Sequence, residues 1–217
     1  AVRHMAEPTP LPPSALWVAC LLGWKEAARQ ALEGGANIEE RGGTGPDLAT
    51  PLEVAVHEGH AEVVQLVLEH GASVAGKDSD GNTVLHLAIR KGIEAVVLLL
   101  LQHRADVSAT DDRGRTPLGR AALQGDVAAM RLLIQNGAAV SYRDMTGWTP
   151  LLWAAFQGRE EVVRVLIEHR VNVLATDDAG RTPEAVATFQ LHLDPTSQPH
   201  LDVVAMLKAE GVSRAKC

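Results

Sequence analysis

Threonine recurs at a fixed interval through most of this 217-residue chain. Neighbouring members of the series are 33 residues apart, and they are Thr50, Thr83, Thr116, Thr149 and Thr182. A period of this length is typical of proteins built from stacked repeats. Units of that kind contact only their neighbours and form an elongated surface, which favours binding over catalysis.

Other residue types repeat in the same register. The clearest columns are Gly81, Gly114, Gly147 and Gly180; Gly59, Gly92, Gly125 and Gly158; and Ala55, Ala88, Ala121, Ala154 and Ala187. Because several independent columns share one register, chance alignment does not explain the period. The chain is therefore expected to consist of similar structural units.

Each column has a physical role within the unit. Thr followed by Pro predicts a helix start, since threonine caps helices and proline is tolerated at the first position. Gly125 predicts that this helix ends after about two turns, because glycine adopts the left-handed conformation at little cost. A second apolar run at residues 130–134 has helical spacing and ends near Gly137. Neither helix is long enough to be stable alone, so stacking must stabilise both.

These motifs resemble the ankyrin repeat. The resemblance rests on Thr83-Val84-Leu85-His86, Gly59-His60, Val63-Val64 and Gly71-Ala72, and it covers about residues 14–213. It implies an all-α repeat solenoid, in which helix-turn-helix units are joined by β-hairpin-like loops. It also implies that His86 ties neighbouring turns together by hydrogen bonds.

The resemblance divides the chain into six units, at about residues 14–44, 45–77, 78–110, 111–143, 144–176 and 177–213. Three extra residues lie in the loop at 41–49. In the sixth unit Glu184 replaces the core leucine, and eight extra residues around 191–201 separate the helices. Its second helix is expected at 201–210, ended by Gly211. We interpret this unit as a C-terminal cap with a decorated loop, since terminal repeats face water.

The chain ends lack the period. Residues 1–13 are proline-rich, which predicts disorder. The first four are expected to be an expression remnant before Met5, and residues 214–217 a frayed tail.

Composition excludes several functional classes. The net charge of −7 argues against general nucleic-acid binding. The apolar run at residues 96–101 is far too short to cross a bilayer. Two cysteines, Cys20 and Cys217, do not suggest a disulfide framework, which favours the cytosol or nucleus. We expect a monomer without nucleic-acid or membrane partners.

The nine histidines are the obvious candidates for chemistry. His70, His103 and His169 follow the period, so structural roles near helix ends are expected for them. His192 and His200 flank the insertion, but no cysteine or carboxylate spacing supports a metal site there. No phosphate-binding glycine loop or nucleophile elbow is present. We therefore predict no catalytic residue, no metal and no cofactor.

Residues that vary between units are the candidate contacts with a partner. In the family that the chain resembles, loop tips and first helices line a concave face. Four aromatic residues lie within fifteen positions: Tyr142, Trp148, Trp153 and Phe156. Trp148 and Phe156 occupy positions where the pattern permits exposure, and exposed aromatic side chains are frequent binding hot spots.

The predicted contact residues are Arg90, Lys91, Arg113, Arg115, Met145, Trp148, Trp153, Phe156, Gln157, Arg181 and Phe189. The basic members of units three and four, with Arg120 as a candidate fifth member, favour a protein or peptide partner with apolar and acidic residues. Alternatively, Trp153 packs between helices, Arg113 pairs with Asp112 or Asp144, and no single patch dominates.

The leading hypothesis is a non-catalytic interaction module that binds its partner on the concave face. The alternative is a small-molecule binder or an enzyme, with a pocket between the concave face and the 191–201 loop. His57, Trp148, Trp153 and Phe156 would line that pocket. A third possibility is the repeat domain of a larger protein whose chemistry lies elsewhere.

Two positions break the pattern of helix-ending glycines. Arg104 and Arg170 stand where units two and four have Gly71 and Gly137. A non-glycine residue in left-handed geometry costs about 1 kcal/mol. Either these turns rearrange or the neighbouring packing tolerates the strain.

Overall fold

A computed structural model describes residues 14–43 and 48–215. The predicted disordered segment 1–13 lies outside the described residues, as do residues 44–47 and 216–217. The described ranges contain twelve helices and two isolated β-bridges, but no β-strand. The helices are α1 (Ala15–Leu22), α2 (Lys25–Glu33), α3 (Pro51–Glu58), α4 (Ala61–Glu69), α5 (Val84–Lys91), α6 (Glu94–Gln102), α7 (Pro117–Gln124), α8 (Val127–Gln135), α9 (Pro150–Phe156), α10 (Glu160–Glu168), α11 (Pro183–Leu193) and α12 (Gln198–Ala215).

The repeated threonines begin the first helix of a unit, as predicted. The Thr116 hydroxyl accepts a hydrogen bond from the Gly119 backbone N–H at 3.2 Å, which caps α7. Proline occupies the first turn of α3, α7, α9 and α11, where its missing N–H has no helical partner to lose. Gly125, with a φ of 86°, ends α7 in the left-handed conformation.

Two layers of helices stack along the chain. The first helices, α1, α3, α5, α7, α9 and α11, each pack on the next, and the second helices, from α2 to α12, do the same. All five alanines of the repeated column are fully buried within the first layer. Small side chains there let neighbouring helices approach closely. The result is the predicted all-α repeat solenoid, with one long core and a small separate apolar cluster around Trp148.

Backbone hydrogen bonds also join the tips of successive loops. The Asp112 N–H donates to the Asp80 carbonyl at 3.1 Å, and the Met145 N–H donates to the Arg113 carbonyl at 3.2 Å. The loops therefore form a stacked row beside the first helices. Together the tips and the first helices make up what we call the concave face.

His86 links units three and four, as the resemblance implied. Its ring is buried, and its Nε2 lies 3.0 Å from the Arg115 carbonyl oxygen. A carbonyl can only accept, so Nε2 carries the proton and Nδ1 accepts the Thr83 N–H at 3.3 Å. Burial lowers the pKa of His86, which keeps the ring neutral.

The sixth unit differs from its prediction. Helix α11 continues to Leu193 and α12 begins at Gln198, so the extra residues mostly lengthen helices rather than separate them. Helix α12 also runs through Gly211 to Ala215, so the predicted end at Gly211 is wrong, whereas the frayed tail at 214–217 stays a prediction. The long helix is stabilised by packing on both α10 and α11. Glu184, in the leucine position, lies 3.8 Å from the Lys208 ammonium group.

The two arginine turns keep the left-handed geometry. Arg104 has a φ of 61° and Arg170 a φ of 56°. The Arg104 N–H donates to the Leu101 carbonyl at 3.0 Å, as the N–H of a helix-ending glycine does in a neighbouring unit. The turns have not rearranged, so the surrounding packing tolerates the strain.

Among the described helices, none combines the length and the apolar composition needed to cross a membrane.

Candidate functional site

An aspartate organises each loop between units from the third to the sixth. These residues are Asp78, Asp111, Asp144 and Asp177. In each, Oδ1 accepts the backbone N–H groups two and four residues later, at 2.8 to 3.0 Å. The loop conformation is thereby held by one oxygen. The other oxygen, Oδ2, is left for a side chain that differs between units.

In unit four that side chain is arginine. Asp111 Oδ2 accepts hydrogen bonds from Arg115 Nε at 2.8 Å and from Arg120 Nη2 at 3.2 Å. Burial alone would raise the pKa of the Asp111 carboxyl, but the hydrogen bonds from Arg115 outweigh it and the pKa lies below its usual value. Burial, and then the charge of Arg115, lower the pKa of Arg120. One carboxylate therefore serves two largely buried guanidinium groups.

In unit five the corresponding side chains are aromatic. Trp153 Nε1 donates to Asp144 Oδ2 at 3.0 Å. The Trp148 ring lies 4.5 Å from the Trp153 ring and 5.5 Å from the Phe156 ring, centroid to centroid. The edge-on and tilted ring geometries are favourable ones. We call Trp148, Trp153 and Phe156 the aromatic cluster.

The exposure expected for Trp148 is the main point on which the structure differs from the predicted site. Only 9% of its surface is exposed. Trp153 and Phe156 pack against it, Val186 of the next unit covers it, and the Arg181 guanidinium carbon lies 5.6 Å from its ring centroid. The prediction of an exposed Trp148 is therefore wrong, because neighbouring side chains of its own cluster cover it.

The remaining predicted contacts divide by exposure. Arg115 is buried, since its guanidinium pairs with Asp111, so its place in a surface basic group is also wrong. Trp153 and Phe156 are half-buried. Met145 is 72% exposed at a loop tip and Phe189 is 61% exposed on α11. The other exposed members are Arg90, Lys91, Gln157, Arg113 and Arg181.

A shallow depression of about 250 Å³ lies on the concave face of units three and four. We call it the arginine depression, and it is lined by Asp80, Asn82, Arg90, Asp112, Arg113, Arg115 and Arg120. Lys91 is not part of this lining. Arg113 forms no ion pair with Asp112, Asp144 or any other residue in the described ranges, so that alternative is not realised.

A larger groove, of about 680 Å³, lies between units two and three and was not predicted. Val54 and Leu87 line it, with His57 and Arg90 among its polar residues. Val54 and Leu87 belong to the column that continues as Arg120 and Trp153. The groove forms where this column has Val and Leu instead of the larger Arg and Trp. This difference in side-chain size is visible when the repeats are aligned.

The alternative pocket predicted near the 191–201 segment does not contain the residues predicted to line it. A cavity of about 360 Å³ at this segment is lined by Gln198 and Pro199 together with residues of α10, and not by His57 or the aromatic cluster. His57 lies on α3, in the groove just described, whereas the aromatic cluster lies on and beside α9, with α5 and α7 between. The first turn of α12 lies against the end of α9, because His200 Nε2 lies 3.0 Å from the Phe156 carbonyl oxygen. These residues therefore do not form one site.

The histidines flanking the insertion have structural contacts. His192 Nδ1 lies 2.8 Å from the Thr188 carbonyl oxygen, and His200 Nδ1 lies 2.8 Å from the Ser197 hydroxyl. In the part of the chain that the structure describes, no three His, Cys, Asp or Glu side chains are placed to share a metal ion.

Family models of ankyrin repeats match most of the chain. A model of three copies matches residues 74–144, 103–177 and 120–212, and a model of many copies matches residues 36–88. No curated protein matches the chain. Ankyrin repeats are generally protein-interaction modules and typically non-catalytic. Because the matched segments together span residues 36–212, the chain belongs to the ankyrin-repeat family.

Proposed function

We propose that this chain is a non-catalytic module that captures a partner protein or peptide on the concave face of units three to five. One observation carries the proposal: Met145 and Phe189, both large, apolar and mostly exposed, lie on the same face as the half-buried Trp153 and Phe156. Exposed apolar side chains gathered on one face mark interaction sites more often than scattered ones.

The buried part of the aromatic cluster supports this surface rather than contacting the partner. Trp148 holds Trp153 and Phe156 in place through ring contacts, and Asp144 fixes the Trp153 indole by a hydrogen bond. Side chains that are already fixed lose little entropy on binding. The partner-facing hot spot is therefore assigned to Met145, Phe189 and the exposed edges of Trp153 and Phe156.

The chemistry of the surface favours a segment with apolar side chains near acidic ones. Arginine is the charged residue most often enriched at interface hot spots, and Arg90, Arg113 and Arg181 are exposed on this face. A reducing compartment, the cytosol or nucleus, is part of the proposal. Cys20 is a free thiol, which fits a compartment in which disulfides seldom form.

The test uses exposed residues that the fold does not need. The Met145→Ala/Phe189→Ala double variant is expected to unfold within about 0.5 kcal/mol of the unaltered chain, since both side chains are largely in water. It should nevertheless lose capture of partners from a cell lysate, identified by mass spectrometry and then titrated in purified form.

Leu98→Ala is the matched control. Leu98 is 43% exposed but lies on α6, in the second layer of helices. It should leave capture unchanged. If the double variant captures the same partners with the same affinity as the unaltered chain, the proposed face is wrong.

A further inference from the structure

The geometry of the arginine depression points to a subsite for one carboxylate, the side chain of an aspartate or glutamate in the bound partner. We infer that this subsite lies beside Arg90, Arg113 and Arg120 and that it selects acidic segments. The inference rests on the proposed function, since it names what one part of the concave face recognises.

The charge of the lining matches a single carboxylate. Four guanidinium groups meet three carboxylates there, because buried Asp111 serves Arg115 and Arg120 while Asp80 and Asp112 lie at the edge. The local balance is one positive charge, on a chain whose net charge is −7. One carboxylate neutralises it, whereas a phosphate dianion would leave an excess of negative charge near the acidic edge.

The depression also contains unused hydrogen-bond donors. Arg120 is only 14% exposed, and its Nε is buried without a partner although Nη2 bonds to Asn82 and Asp111. A buried donor without a partner is rare, so the Arg120 guanidinium has hydrogen-bonding capacity that the fold does not use. The Nε atom itself is not exposed, so a ligand reaches this guanidinium through its exposed part. The guanidinium groups of Arg90 and Arg113 form no ion pair in the described ranges and complete the donor set.

An unused acceptor lies one turn further along α7. Gln124 Nε2 donates to the Arg90 carbonyl at 2.9 Å, which fixes the orientation of the amide and leaves Oε1 buried without a donor. Gln124 is not part of the depression lining and its Oε1 is not exposed, so the subsite itself is formed by the arginines. A peptide residue with an acidic side chain supplies the carboxylate that they bind.

A random peptide library displayed on phage tests the inference without a known partner. The unaltered chain should enrich peptides with Asp or Glu at a fixed distance from an aromatic or aliphatic residue. The Arg90→Gln/Arg113→Gln variant should retain the apolar preference and lose the acidic one. For a selected peptide, each single arginine variant should weaken binding about tenfold, as expected for one charge-assisted hydrogen bond.

Arg131→Gln is the matched control, because Arg131 is an exposed arginine on α8, in the second layer of helices. It should keep both preferences. Selection of apolar peptides without acidic residues would overturn the carboxylate subsite and leave the proposed function intact. Recovery of no binding peptide would overturn the carboxylate subsite for peptides, whereas the proposed function is tested by the lysate experiment above.

Nuclear magnetic resonance reports on Arg120 directly through its Nε–H signal. Titration with N-acetylglutamate amide, which has one carboxylate, should shift this signal saturably, and the neutral glutamine analogue should not. An unmoved signal would overturn the assignment of Arg120. Tighter binding of inorganic phosphate than of N-acetylglutamate amide would overturn the single-carboxylate assignment.

Discussion

Units four and five place different chemistry on the same backbone position. Arg115 and Arg120 precede Trp148 and Trp153 by one repeat period. In both units Oδ2 of the loop aspartate accepts a hydrogen bond from the second residue of the pair, from a guanidinium at 3.2 Å and from an indole at 3.0 Å. The repeat fold accommodates either residue because each donates a hydrogen bond to the same oxygen of the loop aspartate.

The two solutions differ in cost and in the surface that they create. The arginine pair must be taken out of water, and its carboxylate must offset that desolvation. The tryptophan pair gains from burial of apolar surface and from ring contacts. Unit four therefore presents a polar depression and unit five a filled apolar platform. Residues outside the repeat pattern set the chemistry of each unit while the stacking stays unchanged.

The largest expected effect comes from removing the shared acceptor. Asp111→Ala should lower the free energy of unfolding by about 4 kcal/mol, since two largely buried guanidinium groups lose their counter-charge. Asp144→Ala removes the same backbone contacts but leaves only a neutral indole N–H without an acceptor. It should lower the free energy of unfolding by about 2 kcal/mol. Urea unfolding followed by circular dichroism measures both. Equal losses would mean that the ionic character of unit four adds nothing to its stability.

Trp148→Ala tests the aromatic side of the comparison. Truncating this buried ring should cost about 3 kcal/mol, because it removes contacts with Trp153 and Phe156 and leaves a cavity. Trp148→Phe keeps an aromatic ring and serves as the milder control. An Ala variant as stable as the unaltered chain in thermal unfolding would show that the ring is exposed in solution, as the repeat pattern alone suggested.

Lowering the pH should weaken the contact between units three and four, beneath the arginine depression, more than the contact between units four and five, beneath the aromatic cluster. The pKa of His86 is lower in the folded chain than in the unfolded chain. Below about pH 6.5 the unfolded chain therefore binds more protons. Stability should therefore fall by about 1 kcal/mol as the pH drops from neutral to about 5.5. Gly119 has the equivalent place in the next unit, so the contact between units four and five lacks the imidazole.

The measurement compares thermal unfolding with that of His86→Gln across this pH range. Glutamine keeps a polar side chain that does not titrate, so the variant should lose less stability on acidification. An identical pH dependence in both proteins would assign the effect to other histidines.

The smallest expected effect concerns the turns that end the second helices. Unit four ends its helix with Gly137, whereas units three and five use Arg104 and Arg170 at positive φ. Arg104→Gly should stabilise the chain by about 1 kcal/mol by removing backbone strain. Gly137→Ala is the reciprocal control and should destabilise it similarly, since an added Cβ would meet no atom within 4 Å and only the backbone term changes. A neutral result for both variants would show that these turns store no strain.

Much of the fold could be predicted because a repeat solenoid is local in sequence. Thr116 caps α7, Gly125 ends it, and the buried alanine column packs the layers, all from contacts within one unit or with its neighbour. The same logic failed at Gly211. A glycine ends a helix only where packing lets the chain turn, and α12 instead continues along α10 and α11.

The candidate site was only half predictable for a related reason. Departures from the period singled out Arg113, Met145 and Phe189 as candidate contacts, and all three are exposed. They did not show that Trp148 would be covered by its own neighbours or that Arg115 would pair with Asp111. A one-dimensional pattern lists which side chains are free to vary, but not which of them cover one another.

The sequence by itself determined the period, the helix starts and the stacking, because capping, helix length and small buried side chains are properties of short segments. Only the tertiary structure decided which variable residues face a partner. Burial, ion pairing and ring contacts depend on distances between side chains of adjacent units, and the interval of 33 residues leaves those distances unspecified.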